Sequence, residues 1–171
     1  MPIKVDHTFD KKNYRHYMNG INSVLHCHHY MALTTRLAEQ TADFGGPRIL
    51  KETAEDSLRP LLDETIKRSG LSTPEEKLEA GKELYSIMGL GSMEIKGDES
   101  GGEVKLLHSH VDEGWIKKWG KHDKFVNHVT CGYLAAVFAA AYGKPARSYQ
   151  ATEQTSIVVG DDFSILAVKA A

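Results

Sequence analysis

The chain has 171 residues, 41% of them apolar and 26% charged, which suits one compact domain with a real core and leaves no room for a second. A formal net charge of -2 gives no basic footprint for nucleic acid and no polybasic run for an anionic membrane. The opening MPIKVDHTFDKK lacks an apolar signal core, and no stretch approaches the ~20 apolar residues of a membrane span, so a cytoplasmic protein is expected. In that compartment Cys27 and Cys131 are expected as free thiols or metal ligands rather than as a disulfide.

From Asn13 to about Asp43 there is no proline, and apolar residues recur at Tyr14, Tyr17, Met18, Ile21, Val24, Leu25, Met31, Ala32 and Ala38. That stripe predicts one long helix. Gly45-Gly46-Pro47 punctuates it, and a second helix is expected from Pro47 to Ser69, with Pro60 as a kink and Gly70 as the stop. Thr73-Pro74-Glu75-Glu76 opens a third, combining capping-box spacing with proline at the first helical position. These elements make a helical front over about 13–88.

Beyond Gly89 the pattern changes. Ser92 to Lys96 and Glu103 to His110 predict two strands around the turn-forming run Gly97 to Gly102. Asn127 to Tyr142 predicts an Ala-rich helix ended by Gly143, and two further strands follow over Ala146 to Val159 and Phe163 to Lys169. The order ααα-ββ-α-ββ predicts an α+β fold, an antiparallel four-stranded sheet with a helical layer on one face.

The residues able to do chemistry are mostly histidines and cysteines. Within His26-Cys27-His28-His29, His28 falls near the centre of the apolar stripe while His26 lies about 160° round the helix, so four contiguous ligands diverge. Two readings of His28 are open: a buried histidine bonded to a carbonyl, or an inward ligand completed by other segments. His108 and His110 would share a strand face with Val104 and Leu106, either as a two-ligand platform or as a solvent-facing pair. Trp115 and Trp119 form either a flap over a pocket or ordinary helix packing. Cys131 lies a turn from His128 and beside the buried face of Leu134, Val137, Phe138 and Ala141, where it reads as an inert thiol or as a ligand.

The segment Cys131 to Ala136, Gly143, the run Glu153 to Asp161 and Ser164 to Val168 resemble the 4-vinyl reductase domain over roughly residues 90–169. That family includes effector-sensing domains of aromatic-responsive activators, and the resemblance implies a fold like that of TRAPP transport-particle subunits. It also implies a zinc site in which Cys131 and Glu153 occupy two of four ligand positions, with Ser156 and Ser164 where the family has cysteines. Serine is a poor zinc ligand, so the inherited site is expected to be degraded or rebuilt. Thr155 and the Gly160-Asp161 turn are similar to the L-2-amino-thiazoline-4-carboxylate hydrolase family as well.

The expectation is therefore a domain that encloses a small apolar or aromatic ligand between helices and sheet, touched by His28, His110, Trp115 and Tyr133. His28, His110, Cys131 and Glu153 would supply a mixed donor set for zinc or iron, or for haem. The alternative is a small metal- or Cys-dependent hydrolase or lyase acting on a heterocycle, with Cys131 as nucleophile and His128 beside it. A structural subunit is a third reading, and a homodimer is expected under all three.

Overall fold

A computed structural model describes residues 3–171. The chain begins with three short strands, β1 (His7–Asp10), β2 (Arg15–Met18) and β3 (Ile21–Ser23), paired antiparallel in the order β1-β2-β3. This corrects the expectation of one helix from Asn13. The helix α1 runs only over His28–Gln40. Two turns account for the difference. Asp10 accepts bonds from the backbone amides of Lys12 and Asn13, which curls the chain into Tyr14 at φ 54. Asn19 and Gly20 then both take left-handed conformations, φ 49 and φ 82, as a two-residue hairpin turn requires. Asn19 is itself buried, and its side chain donates to Thr65 Oγ1 at 2.9 Å, which anchors the hairpin to the second helix, over Gly46–Ser69.

A left-handed Gly45 separates α1 from α2 (Gly46–Ser69), which carries Pro60 in its interior and ends at left-handed Gly70. The third helix, α3 (Pro74–Ile87), starts with the expected reciprocal cap between Thr73 and Glu76. Strands β4 (Gly91–Asp98) and β5 (Gly101–Ser109) form a hairpin closed by Glu99 and Ser100. Ser109 ends β5 and caps α4 (His110–Trp119), accepting a bond from the Asp112 amide at 3.2 Å. His110 is thus the first residue of a helix and not the last of a strand, and the two tryptophans lie a helical turn apart. The chain closes with α5 (His128–Ala141), β6 (Tyr149–Thr155) and β7 (Ser164–Ala170).

The main sheet has the order β4-β5-β7-β6 and is antiparallel throughout. The α+β class and the four-stranded sheet are as expected, with a fifth helix and the small N-terminal sheet added. Helix α5 lies at the centre, packed on β6 and the sheet on one side and against α2 and α3 on the other. Every one of its residues is buried, which follows from a sequence apolar all round its circumference. Small residues set the approach. A Cβ on Gly132 would stand 2.1 Å from the Lys51 carbonyl oxygen of α2, and one on Gly81 would meet Val137 at 2.6 Å.

Gly132→Ala is therefore expected to push α2 off α5 and to destabilise the fold by ~1–3 kcal/mol or more. The cost should exceed the ~1 kcal/mol expected for Thr73→Ala at the α3 cap. Urea denaturation of the two variants measures both, and equal costs would contradict the close-packed α2–α5 contact.

Candidate functional site

Where α4, the start of α5 and the ends of β6 and β7 meet, the core is polar. Asn127 sits between two buried carboxyl groups. Its side-chain amide donates to Asp112 Oδ1 at 2.7 Å and, at 3.5 Å, to Glu153 Oε1, while its backbone amide donates to Glu153 Oε2 at 2.9 Å. Its oxygen accepts from Thr130 Oγ1 at 2.9 Å, and that hydroxyl meets Tyr85 Oη at 2.9 Å. Ser164 Oγ donates to Asp112 Oδ2 at 2.7 Å and accepts the Ile157 amide. Ser156 Oγ accepts the Val158 amide. Burial raises both acids: Asp112 is held above the usual carboxylate range, and Glu153 is pushed up to about 7.

The family resemblance places a zinc ion among Cys131, Glu153, Ser156 and Ser164. All four side chains are buried, yet the donor set does not fit the ion. Both serine hydroxyls and the Glu153 carboxyl are engaged by protein hydrogen bonds, and neutral serine oxygens are poor ligands for zinc. Asp112 and Asn127 tie Glu153 and Ser164 into one hydrogen-bonded core. Neither residue stands out in the sequence as a site. The available signals were the capping spacing of Ser109 to Asp112 and the placement of Asn127 before an apolar helix.

His128 and Cys131 do not form a nucleophilic pair. The His128 ring turns away to the Glu39 carboxylate of α1, and burial draws its pKa down against that partner. Tyr133 is enclosed in the core, where its hydroxyl donates to the Gly81 carbonyl at 2.6 Å. Trp115 is buried against Trp119 and His122, at ring-centroid distances of 4.8 and 5.0 Å.

His28 and His110 do meet. Their ring centroids are 4.2 Å apart, with the exposed His26 ring 5.5 Å from His110. The pairing depends on Gly114 of α4, where a Cβ would stand 3.1 Å from the His28 backbone oxygen. Among the described residues, no three His, Cys, Asp or Glu side chains form a group that could hold a metal ion as they stand. The four residues expected as metal ligands are therefore not one site: His28 and His110 belong to the α1–α4 seam, Cys131 and Glu153 to the α5–β6 contact.

Two clefts flank these clusters. One of about 480 Å³ lies between β2–β3, α1 and α2, walled by Met18, Ile21, Met31, Leu50, Leu58 and Leu61, with His26 at its edge. The other, about 460 Å³, lies between α2, α5 and β6 and is lined by Arg48, Lys51, Glu55 and Arg147 with Cys131 in its wall. Glu55 pairs with Arg147 and Glu52 with Arg48, so much of its charge is already compensated.

No protein-family model matches the chain, and no curated protein does. Solved structures do. The phenol-responsive sensory domain of the transcription activator PoxR, determined with phenol, superposes with a TM-score of 0.78 at 16% identity, over 96% of this chain and 84% of that one. Trafficking protein particle complex subunit 3 from Naegleria fowleri, covalently bound to palmitic acid, superposes with a TM-score of 0.57 at 13% identity, over 84% of this chain and 95% of that one. The fold is that of a TRAPP subunit. No helix among the described residues is long and apolar enough to cross a membrane.

The raised Glu153 makes a signed prediction. Its carboxyl ionises near 4.5 when exposed and near 7 in the fold, so its contribution to stability is complete below pH 4.5 and is lost as pH rises through 7. Relative to Glu153→Gln, which cannot ionise, the wild type should lose on the order of 3 kcal/mol across that window. Urea denaturation of both proteins from pH 4.5 to 8 tests this, and a pH-independent difference would refute it.

Proposed function

We propose that the protein binds a compact apolar ligand, of the class of a substituted phenol, in the cleft between the β2–β3 hairpin, α1 and α2. The supporting observation is the cleft itself. Its volume of about 480 Å³ falls within the ~300–1,000 Å³ of small-molecule sites, and its wall is mainly Met, Leu and Ile. Polar groups interrupt that wall, among them Thr34, Thr53, Ser57 and His26. The Thr34 and Ser57 hydroxyls donate back to their own helices, at Tyr30 and Thr53, which leaves oxygen lone pairs to accept a bond from a ligand hydroxyl.

The reading gains support from the PoxR sensory domain, which has this fold and was solved with phenol. It also accords with the resemblance to the 4-vinyl reductase domain, whose members include sensors of aromatic effectors. The thiol-dependent alternative loses ground on two counts: the Cys131 thiol is protonated by burial, and His128 is committed to Glu39.

Titration calorimetry with phenol and p-cresol tests the assignment. Wild type is expected to bind, and Thr34→Trp and Ser57→Trp, which fill the cleft from α1 and α2, should each weaken binding about tenfold or more, ~1.4 kcal/mol. Circular dichroism identifies any variant that fails to fold. Binding unchanged in both folded variants, or none in wild type, would overturn the reading.

A further inference from the structure

A third recess, of about 320 Å³, lies where α1 meets α4 and the loop that follows α4. Arg36, Lys121 and Lys124 line it together with Trp115, Trp119 and His122. Glu39 is the one acid among its lining residues, and its carboxylate is bonded to His128 of α5. Three fixed cations against one carboxylate leave an excess of two positive charges, in a chain whose formal net charge is -2. In the α2–α5 cleft the two arginines are paired, Arg48 with Glu52 and Arg147 with Glu55 and Asp56. Here they are not. Among the described residues, no carboxylate lies within ion-pair distance of Arg36, Lys121 or Lys124.

We propose that this recess binds a compact dianion, the phosphate group of inorganic phosphate or of a small phosphate ester.

The placement of the donors carries the assignment. The Arg36 guanidinium carbon lies 4.8 Å from the Trp119 ring centroid, a cation–π contact that holds the charge in place. That contact uses none of the five N–H donors, and a guanidinium fork matches a phosphate through two of them at once. Trp119 meets the buried Trp115 edge-on, at 4.8 Å between centroids, so Arg36 rests on a packed aromatic support. Lys121 comes from the loop, and its Nζ lies against Gly160, where a Cβ would stand 2.8 Å away. Lys124 adds a second ammonium. Walls of indole and imidazole ring lower the local dielectric, which strengthens the pull of these charges on an entering anion. Lys117 and Lys118 nearby are accounted for without a ligand, because in the last turn of α4 they oppose the negative end of the helix dipole. Arg36, well before the last turn of α1, has no such counter-charge. The volume is at the lower end of the ~300–1,000 Å³ of small-molecule sites, which suits a small anion.

The recess shares α1 with the apolar cleft but no lining residue, so this site does not rest on phenol binding. Full-length protein is titrated with inorganic phosphate and with glycerol 3-phosphate in sodium chloride at fixed ionic strength. Both tryptophans of the chain line the recess, so intrinsic fluorescence reads its occupancy, and titration calorimetry gives the stoichiometry. Saturable binding of one equivalent is expected, and Arg36→Gln and Lys121→Gln should each weaken it at least about tenfold. Arg36→Lys keeps the charge but loses the fork and should weaken it as well, whereas Arg48→Gln in the α2–α5 cleft should not change it. Lys121 is exposed, so its substitution keeps the test intact if circular dichroism shows that loss of Arg36 unfolds the chain. Equal affinity for the two probes assigns the free ion, and tighter binding of glycerol 3-phosphate assigns an ester. A response that does not saturate with either probe, affinity unchanged in the folded Arg36→Gln and Lys121→Gln variants, or an equal loss in Arg48→Gln would overturn the proposal.

Discussion

Asn127 is the residue on which four elements converge. From its place before α5 it bonds Asp112 of α4 through its side chain and Glu153 of β6 through its backbone, and Ser164 of β7 closes the ring from the far side of Asp112. Each carboxyl alone would be a costly thing to bury, by several kcal/mol for an unpaired charge. Together with the amide and the hydroxyls they form a network in which protons and lone pairs are matched, and burial then raises both acids instead of expelling them. The network fixes the start of α5, and α5 in turn is the surface on which α2, α3 and the sheet pack.

The same constraint sets what Cys131 can do. One turn into α5, its thiol faces a desolvated environment, with the Glu153 carboxyl near enough to disfavour a thiolate further. Lys51 opposes that effect, but burial outweighs it. Reactive cysteines need an electropositive and partly open setting, and the exposed thiol of this chain is instead Cys27, at the N-terminus of α1, whose pKa the backbone amides of Tyr30 and His29 pull down. Placement on helices thus reverses what the cysteines suggest from sequence alone, where Cys131 carries the family-like context and Cys27 lies in an ambiguous run.

Legibility followed the local signals. The starts of α2, α3 and α5, their stop glycines and the two C-terminal hairpins could be read because Thr73-Pro74, Gly70, Gly143 and the Gly-Asp turns act within a few residues of themselves. The N-terminus was misread for an equally local reason. Tyr14, Tyr17, Met18 and Ile21 fall at helical spacing, but Arg15 to Met18 also alternates, and Asn19-Gly20 is a hairpin turn. The stripe outweighed the turn because it was longer, although its residues belong to three separate elements. α4 was missed because its register as a continuation of β5 kept His108 and His110 on one face; the Ser109 cap breaks that register at its last residue.

That break determines where the histidines go. Had β5 continued, His110 would share its face with Val104 and Leu106 and lie within the sheet. By ending at Ser109, the chain swings α4 across the N-terminal end of α1, and Gly114 allows the two backbones to approach until the His28 and His110 rings touch. The same turn carries Asp112 inward to Asn127, two residues on and towards the opposite side of the helix. A single helix of ten residues therefore faces the buried acid network on one side and the histidine seam on the other. The seam's geometry depends on α4's position, and the network pins α4 to α5 and β7.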